Sequence, residues 1–174
     1  MSLTRLYRRP EMNTEELFAA VRYRDHEEMY LKAIWRLEEW KEAPARVASI
    51  SRLLRVKPPS VVGMLRKLDG RGLVRYTSRQ GIRLTSKGRR SAERLIRNCR
   101  LVEVFMKNAL NMPVDEKVAC DIEHRLTEEF TDGLCRILRH PRICPHGHPI
   151  PTGKCCLSYT PPEHNHPHRP FKTG

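Results

Sequence analysis

The stretch from Val47 to Leu84 constrains the fold most. A short apolar helical pattern over Val47–Leu54 breaks at Lys57-Pro58-Pro59. Two adjacent prolines cannot sit inside a helix, but the second can occupy a helix's first turn. The next helix is therefore predicted over residues 60–68, with Val61, Leu65 and Leu68 as its buried stripe and Val62, Arg66 and Lys67 facing elsewhere. Asp69-Gly70-Arg71-Gly72 ends it. Residues 73–77 and 82–84 read as two short strands around the turn Ser78-Arg79-Gln80-Gly81, where the glycine is free to take a positive φ.

Helices flank this unit. Upstream, some helix is expected over 14–21. A firmer one starts at Asp25, a cap with Glu28 three residues on. Met29, Ala33, Ile34, Leu37 and Trp40 recur along it at helical spacing, and it ends before Pro44. Downstream, Thr85 or Ser86 caps a long helix reaching about Asn111. Another helix runs from near Asp115 to about Phe130, and a third covers 131–138. Helix, helix, helix and two-stranded wing is the order of a winged helix-turn-helix. Two-fold DNA readers need a dimer to span two half-sites, and the wing is too small to supply that surface. The helices over 86–111 and 115–138 are expected to do so. The predicted class is thus mainly α, a winged helix-turn-helix plus a helical dimerisation domain. The division is an N-terminal arm (1–22), the winged helix (23–88), the helical domain (89–151) and a Cys/His/Pro-rich, disordered tail (152–174).

Charge points to the partner. The 174 residues carry 33 Lys+Arg against 20 Asp+Glu, a formal net charge of +13. Residues 43–94 alone hold 14 Lys+Arg and two acids, Asp69 and Glu93. A solvated basic surface explains part of this. A window so poor in acids fits a face that neutralises phosphates. Arg79 and Arg83, on or beside the wing, and Arg66 are the candidates for phosphate contact. Arg5, Arg8 and Arg9 could extend that reach from the arm. No apolar run is long enough to span a bilayer and no leader pattern opens the chain, so the expectation is a cytoplasmic protein with no membrane partner. Six cysteines, at 99, 120, 135, 144, 155 and 156, then suggest metal or redox chemistry rather than a disulfide scaffold, or simply small buried side chains.

The most informative short motif is Cys120-x-x-Glu123-His124. On a helix, positions i, i+3 and i+4 share a face, so thiolate, carboxylate and imidazole can converge on one ion. Val118, Ile122 and Leu126 form the adjacent apolar stripe, which would leave the three polar groups partly buried at its edge. An exposed Glu-His pair beside a core cysteine is the plainer alternative. Cys99 and Glu103 are spaced i, i+4 on the preceding helix, with Cys99 also on the apolar stripe. Met29 alone reads as core. Cys144, His146, His148, Cys155 and Cys156 crowd into 13 residues. They suggest a zinc or redox site, although they match no familiar zinc spacing and the vicinal pair resists ligating one ion without strain. His164, His166 and His168 read as part of a solvated tail.

Several segments resemble, in order, the diphtheria-toxin-repressor and manganese-transport-regulator family of metal-dependent repressors. They are His26-Glu27-Glu28-Met29-Tyr30-Leu31-Lys32-Ala33-Ile34, Val56-Lys57-Pro58-Pro59-Ser60-Val61, Gly72-Leu73-Val74, Leu84-Thr85-Ser86-Lys87-Gly88, Cys120-Asp121-Ile122-Glu123-His124 and Pro145-His146-Gly147-His148-Pro149-Ile150-Pro151. The likeness covers residues 24–151. It implies a winged helix followed by a helical dimerisation and metal domain, and a homodimer that binds a divalent metal and then double-stranded operator DNA. Carried onto this sequence, it implies a primary metal site of Met29, Cys120, Glu123 and His124, the iron-responsive pattern. The manganese branch has acidic residues where Met29, Lys32 and Cys120 stand. Soft Met and Cys ligands favour iron, cobalt, nickel or zinc over manganese; Fe(II) is the expected metal, with Zn(II), Co(II), Ni(II) or Mn(II) as alternatives. The resemblance implies a second metal at Cys99, Glu103 and Glu116, although the family usually has His where Cys99 stands and its iron branch has His at Glu116. It implies contacts to DNA from Lys57, Pro59, Ser60 and Gly63.

The expected function is a dimeric, metal-activated transcriptional repressor of metal-uptake genes, iron first. A thiol-sensing winged-helix regulator, triggered at Cys99 or at Cys155 and Cys156, is the alternative. A metal-dependent hydrolase using Glu123 as base lacks a separate nucleophile or acid–base pair, so no enzyme activity is expected. An architectural nucleic-acid binder would show no effector response.

Overall fold

The computed structural model describes residues 14–157 and 159. The arginines of the predicted arm (Arg5, Arg8, Arg9) and His164, His166 and His168 lie outside the described residues. Helix α1, Thr14–Glu39, runs unbroken for 26 residues. Two helices with a cap at Asp25 were expected. Arg22-Tyr23-Arg24 contains no breaker, so the helix passes through. The Asp25 carboxylate instead accepts from Arg125 Nη2 at 2.7 Å.

The winged unit forms as the proline break dictates. Helix α2, Val47–Leu54, ends at Arg55 in the left-handed region. Lys57 is extended, and Pro58 and Pro59 open α3, Pro58–Gly70, which buries Val61, Leu65 and Leu68. Strands β1, Val74–Thr77, and β2, Gly81–Leu84, pair antiparallel, with Arg75 opposite Arg83. Ala45 adds a bridge to Ile82 through hydrogen bonds of 3.0 and 2.9 Å. Leu31, Ile34 and Leu37 of α1 close this core over Ile50, Val74 and Ile82. Thr85 Oγ1 accepts from Gly88 N at 3.1 Å and so starts α4, Ser86–Asn108. Glycine is required at 88, because a Cβ there would collide with the Leu73 carbonyl.

Helix α4 is the mast of the second half; every residue from Leu95 to Val104 is buried. Helix α5, Glu116–Glu123, is capped by Asp115 Oδ1, which accepts from the backbone N–H groups of Lys117 and Val118. Helix α6 spans Glu128–Ile137. The predicted boundary between Phe130 and Thr131 is therefore displaced. Thr127 Oγ1 accepts from Phe130 N at 3.2 Å, and Glu128 and Glu129 fall in the first turn, where the helix dipole favours them.

The faces of α5 are reversed relative to expectation. Its polar residue Glu123 and small Ala119 are fully buried, while Val118 and Ile122 are about 40% exposed. The helix turns its carboxylate toward α1 and α4 because a cation waits there. The tail is also ordered at its start: Lys154–Cys156 form a 3-10 turn with both cysteines buried. Arg97 anchors that turn. Its guanidinium occupies the space a Cβ at Gly153 would need, and its Nη2 donates to Cys155 Sγ at 3.2 Å. The predicted disorder from 152 thus does not hold for these residues.

Candidate metal centre

Two elements converge on one buried point. Helix α5 carries Cys120 and Glu123 and is followed by its C-cap residue His124; the ligand atoms of the three all lie within 4.8 Å of one another. Cys120 Sγ is 3.6 Å from Met29 Sδ on α1 and 3.9 Å from Glu123 Oε1. His124 Nε2 is 3.7 Å from the same carboxylate oxygen. The four residues that the resemblance implies as a primary site are therefore neighbours, although 91 positions separate Met29 from Cys120.

Lys32 stands among them. Its Nζ lies 2.5 Å from Glu123 Oε1, 3.2 Å from Cys120 Sγ and 3.9 Å from Cys99 Sγ. Glu123 is fully buried, and its Oε2 has no hydrogen-bond partner. A buried carboxylate needs a compensating cation and partners for its lone pairs; the ammonium supplies the charge, and one oxygen remains free to bind. A carboxylate with one unpartnered oxygen, grouped with a thiol, a thioether and an imidazole nitrogen, fits a transition metal.

The electrostatics suit ligation. Hydrogen bonding to His124 holds the Cys120 thiol below its ordinary range, against the opposing effect of burial. Burial opposes charge on His124, but the hydrogen bonds to Cys120 and Glu28 outweigh it and push the imidazole up to about 9. His124 Nδ1 sits 2.7 Å from Glu28 Oε2, which leaves Nε2 facing the site. Glu28 Oε1 in turn accepts from Arg94 Nη2 at 2.7 Å. A carboxylate behind the imidazole fixes its orientation and raises its basicity as a ligand. Sequence reasoning took Glu28 only as a capping residue. The available signal was its i, i+4 spacing from Lys32, which places both side chains on one face of α1.

Around Glu103 the predicted second set is rearranged. Cys99 Sγ is 3.7 Å from Glu103 Oε1. The three groups close enough to share an ion are Glu103, Cys144 and His146. His146 Nδ1 is 3.3 Å from Glu103 Oε2, and its Nε2 is 3.8 Å from Glu116 Oε1. Cys99 is 2% exposed, and burial pushes its thiol up, the reverse of a reactive thiolate. The predicted C-terminal cluster divides. Cys144 and His146 join Glu103, Cys155 and Cys156 join Cys135 and His140, and His148 belongs to neither group. Cys135 and His140 were not singled out from sequence, because their spacing has no partner motif nearby in the chain.

The DNA candidates share an exposed surface class. Lys57, Pro59, Ser60, Gly63 and Arg66 are exposed around α3, and Arg79 and Arg83 are exposed on the wing.

The chain is similar to known proteins over most of its described length. The family model described as the iron dependent repressor N-terminal DNA binding domain matches residues 24–82. The iron dependent repressor metal binding and dimerisation domain matches residues 85–152. The Iron-dependent repressor IdeR of Mycobacterium leprae is 34% identical over 129 residues, 73% of this chain and 56% of that protein. The Diphtheria toxin repressor of Corynebacterium diphtheriae is 31% identical over 129 residues, 73% and 57% respectively. This chain thus spans a little over half the length of these relatives. Among solved structures, the manganese regulator SloR is 36% identical with a TM-score of 0.64, covering 72% of this chain and 59% of that one. The IdeR of T. acidophilum is 33% identical with a TM-score of 0.62, covering 78% and 63%.

Proposed function

The chain belongs to the iron-dependent repressor family, and from that premise we propose that it is a homodimeric, metal-activated repressor that binds operator DNA of metal-uptake genes. The observation that carries this reading is the contact between the DNA-reading half and the second half at Met29 and Cys120, next to Glu123, whose Oε2 has no hydrogen-bond partner.

Met29, Cys120, Glu123 and His124 are the proposed ligands of a divalent transition metal, which supplies a bond between the two halves when present. Met29 rides on α1, whose apolar face packs over α2 and α3, so its position and that of the proposed recognition helix α3 are coupled. Glu28 holds the His124 ring, and Lys32 keeps Glu123 charge-balanced when no metal is bound. Sulfur from Met29 and Cys120 favours iron, cobalt, nickel or zinc over manganese, and Fe(II) is the proposed effector. Glu103, Cys144, His146 and Glu116 are the proposed second metal set, with Cys99 behind it. Lys57, Pro59, Ser60 and Gly63 at the start of α3 are proposed to meet bases and backbone, and Arg66, Arg79 and Arg83 phosphates. Small Ser60 and Gly63 offer few base-reading groups, so part of the specificity would come from DNA shape.

The exposed apolar residues of α5 and α6, Val118, Ile122, Phe130 and Ile137, support a second copy as partner. No described helix is long and apolar enough to cross a membrane, and a cytoplasmic location is part of the proposal. Catalysis is not: Glu123, the base a hydrolase would need, is fully buried against Lys32.

Fluorescence anisotropy on a promoter fragment of metal-transport genes tests this reading. It is run anaerobically and reduced, with chelator and then ferrous iron, manganese, zinc and cobalt in turn, for wild type and Cys120→Ala. Tighter binding with one metal, lost in the variant, supports the proposal. Equal binding with and without every metal overturns it.

A further inference from the structure

We propose that Cys135, His140, Cys155 and Cys156 form a Cys3His site for a structural zinc ion, separate from the centre on α5. The four ligand atoms lie within 4.8 Å of one another, and all four residues are buried. Cys135 Sγ is 3.6 Å from Cys156 Sγ and 3.6 Å from His140 Nδ1. Cys156 Sγ is 3.7 Å from Cys155 Sγ, and His140 Nδ1 is 3.4 and 3.8 Å from the Cys156 and Cys155 sulfurs.

A tetrahedral ion with Zn–S of about 2.3 Å and Zn–N of about 2.05 Å sets its sulfurs roughly 3.75 Å apart and each sulfur roughly 3.55 Å from the nitrogen. The sulfur–sulfur separations of 3.6 and 3.7 Å fall just below the first value, and the three sulfur–nitrogen separations, 3.4, 3.6 and 3.8 Å, bracket the second. A disulfide would need sulfurs about 2.05 Å apart, and all six cysteines are free thiols. Reactive sensor thiols are partly exposed; Cys135 is 1% exposed and Cys155 and Cys156 are 8% exposed.

The backbone holds this arrangement from two sides. At the end of α6, Arg139 and His140 both take the left-handed conformation, and His140 N donates to Cys135 O at 2.8 Å, turning the ring back over the helix. The 3-10 turn, closed by Cys156 N donating to Gly153 O at 3.0 Å, presents the two adjacent cysteines. Within this turn the adjacent sulfurs lie 3.7 Å apart, near the separation one tetrahedral ion requires. The ring of Tyr159 stacks on His140 with centroids 4.0 Å apart. Three thiolates and a divalent ion carry a net charge of −1. The buried guanidinium of Arg97, donating to Cys155 Sγ at 3.2 Å and to Asp132 Oδ1 at 2.7 Å, supplies the outer-shell cation. Soft thiolates and tetrahedral spacing select zinc rather than a hard cation. Loading releases the three thiol protons, and the ion would pin the segment after Ile150 to α6.

Cobalt substitution of the full-length, reduced chain tests this in the Cys120→Ala background, which removes a thiolate of the other proposed centre. The expected result is one cobalt per chain with tetrahedral d–d absorption and three-thiolate charge transfer, displaced by zinc; any cobalt at Glu103, Cys144 and His146 has a single thiolate and lacks that signature. His140→Cys is expected to keep the ion and strengthen the charge transfer, and Cys156→Ser to lose it. Absence of the tetrahedral three-thiolate spectrum from the Cys120→Ala chain overturns the proposal. So does an unchanged spectrum in Cys156→Ser. If Cys156→Ser does not fold, the spectra of Cys120→Ala and His140→Cys decide.

Discussion

Lys32 Nζ lies 2.5 Å from Glu123 Oε1, in a pair whose side chains are 5% and 0% exposed. An ammonium group occupies the region where the candidate ligands meet, so a metal entering there competes with a cation the fold already holds in place.

Lys32→Met is therefore expected to act in opposite directions on two quantities. The metal-free chain loses the partner of a fully buried carboxylate, which costs about 3 kcal/mol or more. Metal affinity rises, because no ammonium has to be displaced. Denaturant unfolding in chelator and a competition titration read the two separately; equal metal affinity in both chains would show that Lys32 does not compete.

Metal binding is expected to strengthen as pH rises. Only neutral imidazole ligates a metal, and His124 holds its proton up to about 9. Below that value each bound metal must release the His124 proton, so this group alone makes affinity climb by about tenfold per pH unit. Calorimetry at pH 7.5 in buffers of different ionisation enthalpy should show at least one proton released per metal at this centre; pH-independent binding would contradict the assignment of His124.

Glu28→Gln tests the carboxylate behind that imidazole. Loss of such a partner commonly lowers metal affinity by about 10–100-fold. A fall of this size, with the far-UV spectrum of the wild type retained, is the expected outcome of a metal competition assay.

Much of the fold was legible in the sequence because it rests on local rules. Pro58 and Pro59 place the start of α3, the turn ending in Gly81 places the wing, and Thr85 caps α4. Errors came where tertiary contacts overrode local signals. Asp25 has a capping pattern, yet it pairs with Arg125 inside a continuous helix. Val118 and Ile122 look like a core stripe, yet Lys32 draws the opposite face of α5 inward. Within the candidate site, Cys120, Glu123 and His124 could be grouped by helical spacing. Met29 could not, since its contact to Cys120 spans two elements. The split of the C-terminal Cys/His residues was hidden for the same reason: Glu103 and Cys135 lie on α4 and α6, and most of the residues they meet come from the later loop and 3-10 turn.

Gly88→Ala probes the junction of the two halves. The added methyl collides with the Leu73 carbonyl, a backbone atom that cannot move aside as a flexible side chain would. Overpacking of this kind costs about 1–3 kcal/mol. Thermal unfolding of the variant should show a clear drop in Tm, whereas Gly63→Ala, with nothing within 4 Å of the new methyl, should show little from packing.

The central claim is that the Met29–Cys120–Glu123–His124 centre and the DNA surface around α3 are coupled. Linkage requires each ligand to raise the affinity for the other by the same factor, commonly worth about 1–3 kcal/mol. The most direct measurement is the affinity of the activating metal for the chain with and without saturating promoter DNA. The account predicts tighter metal binding on DNA, by the factor with which metal tightens DNA binding, and no such change in Cys120→Ala. Metal affinity indifferent to DNA would contradict it.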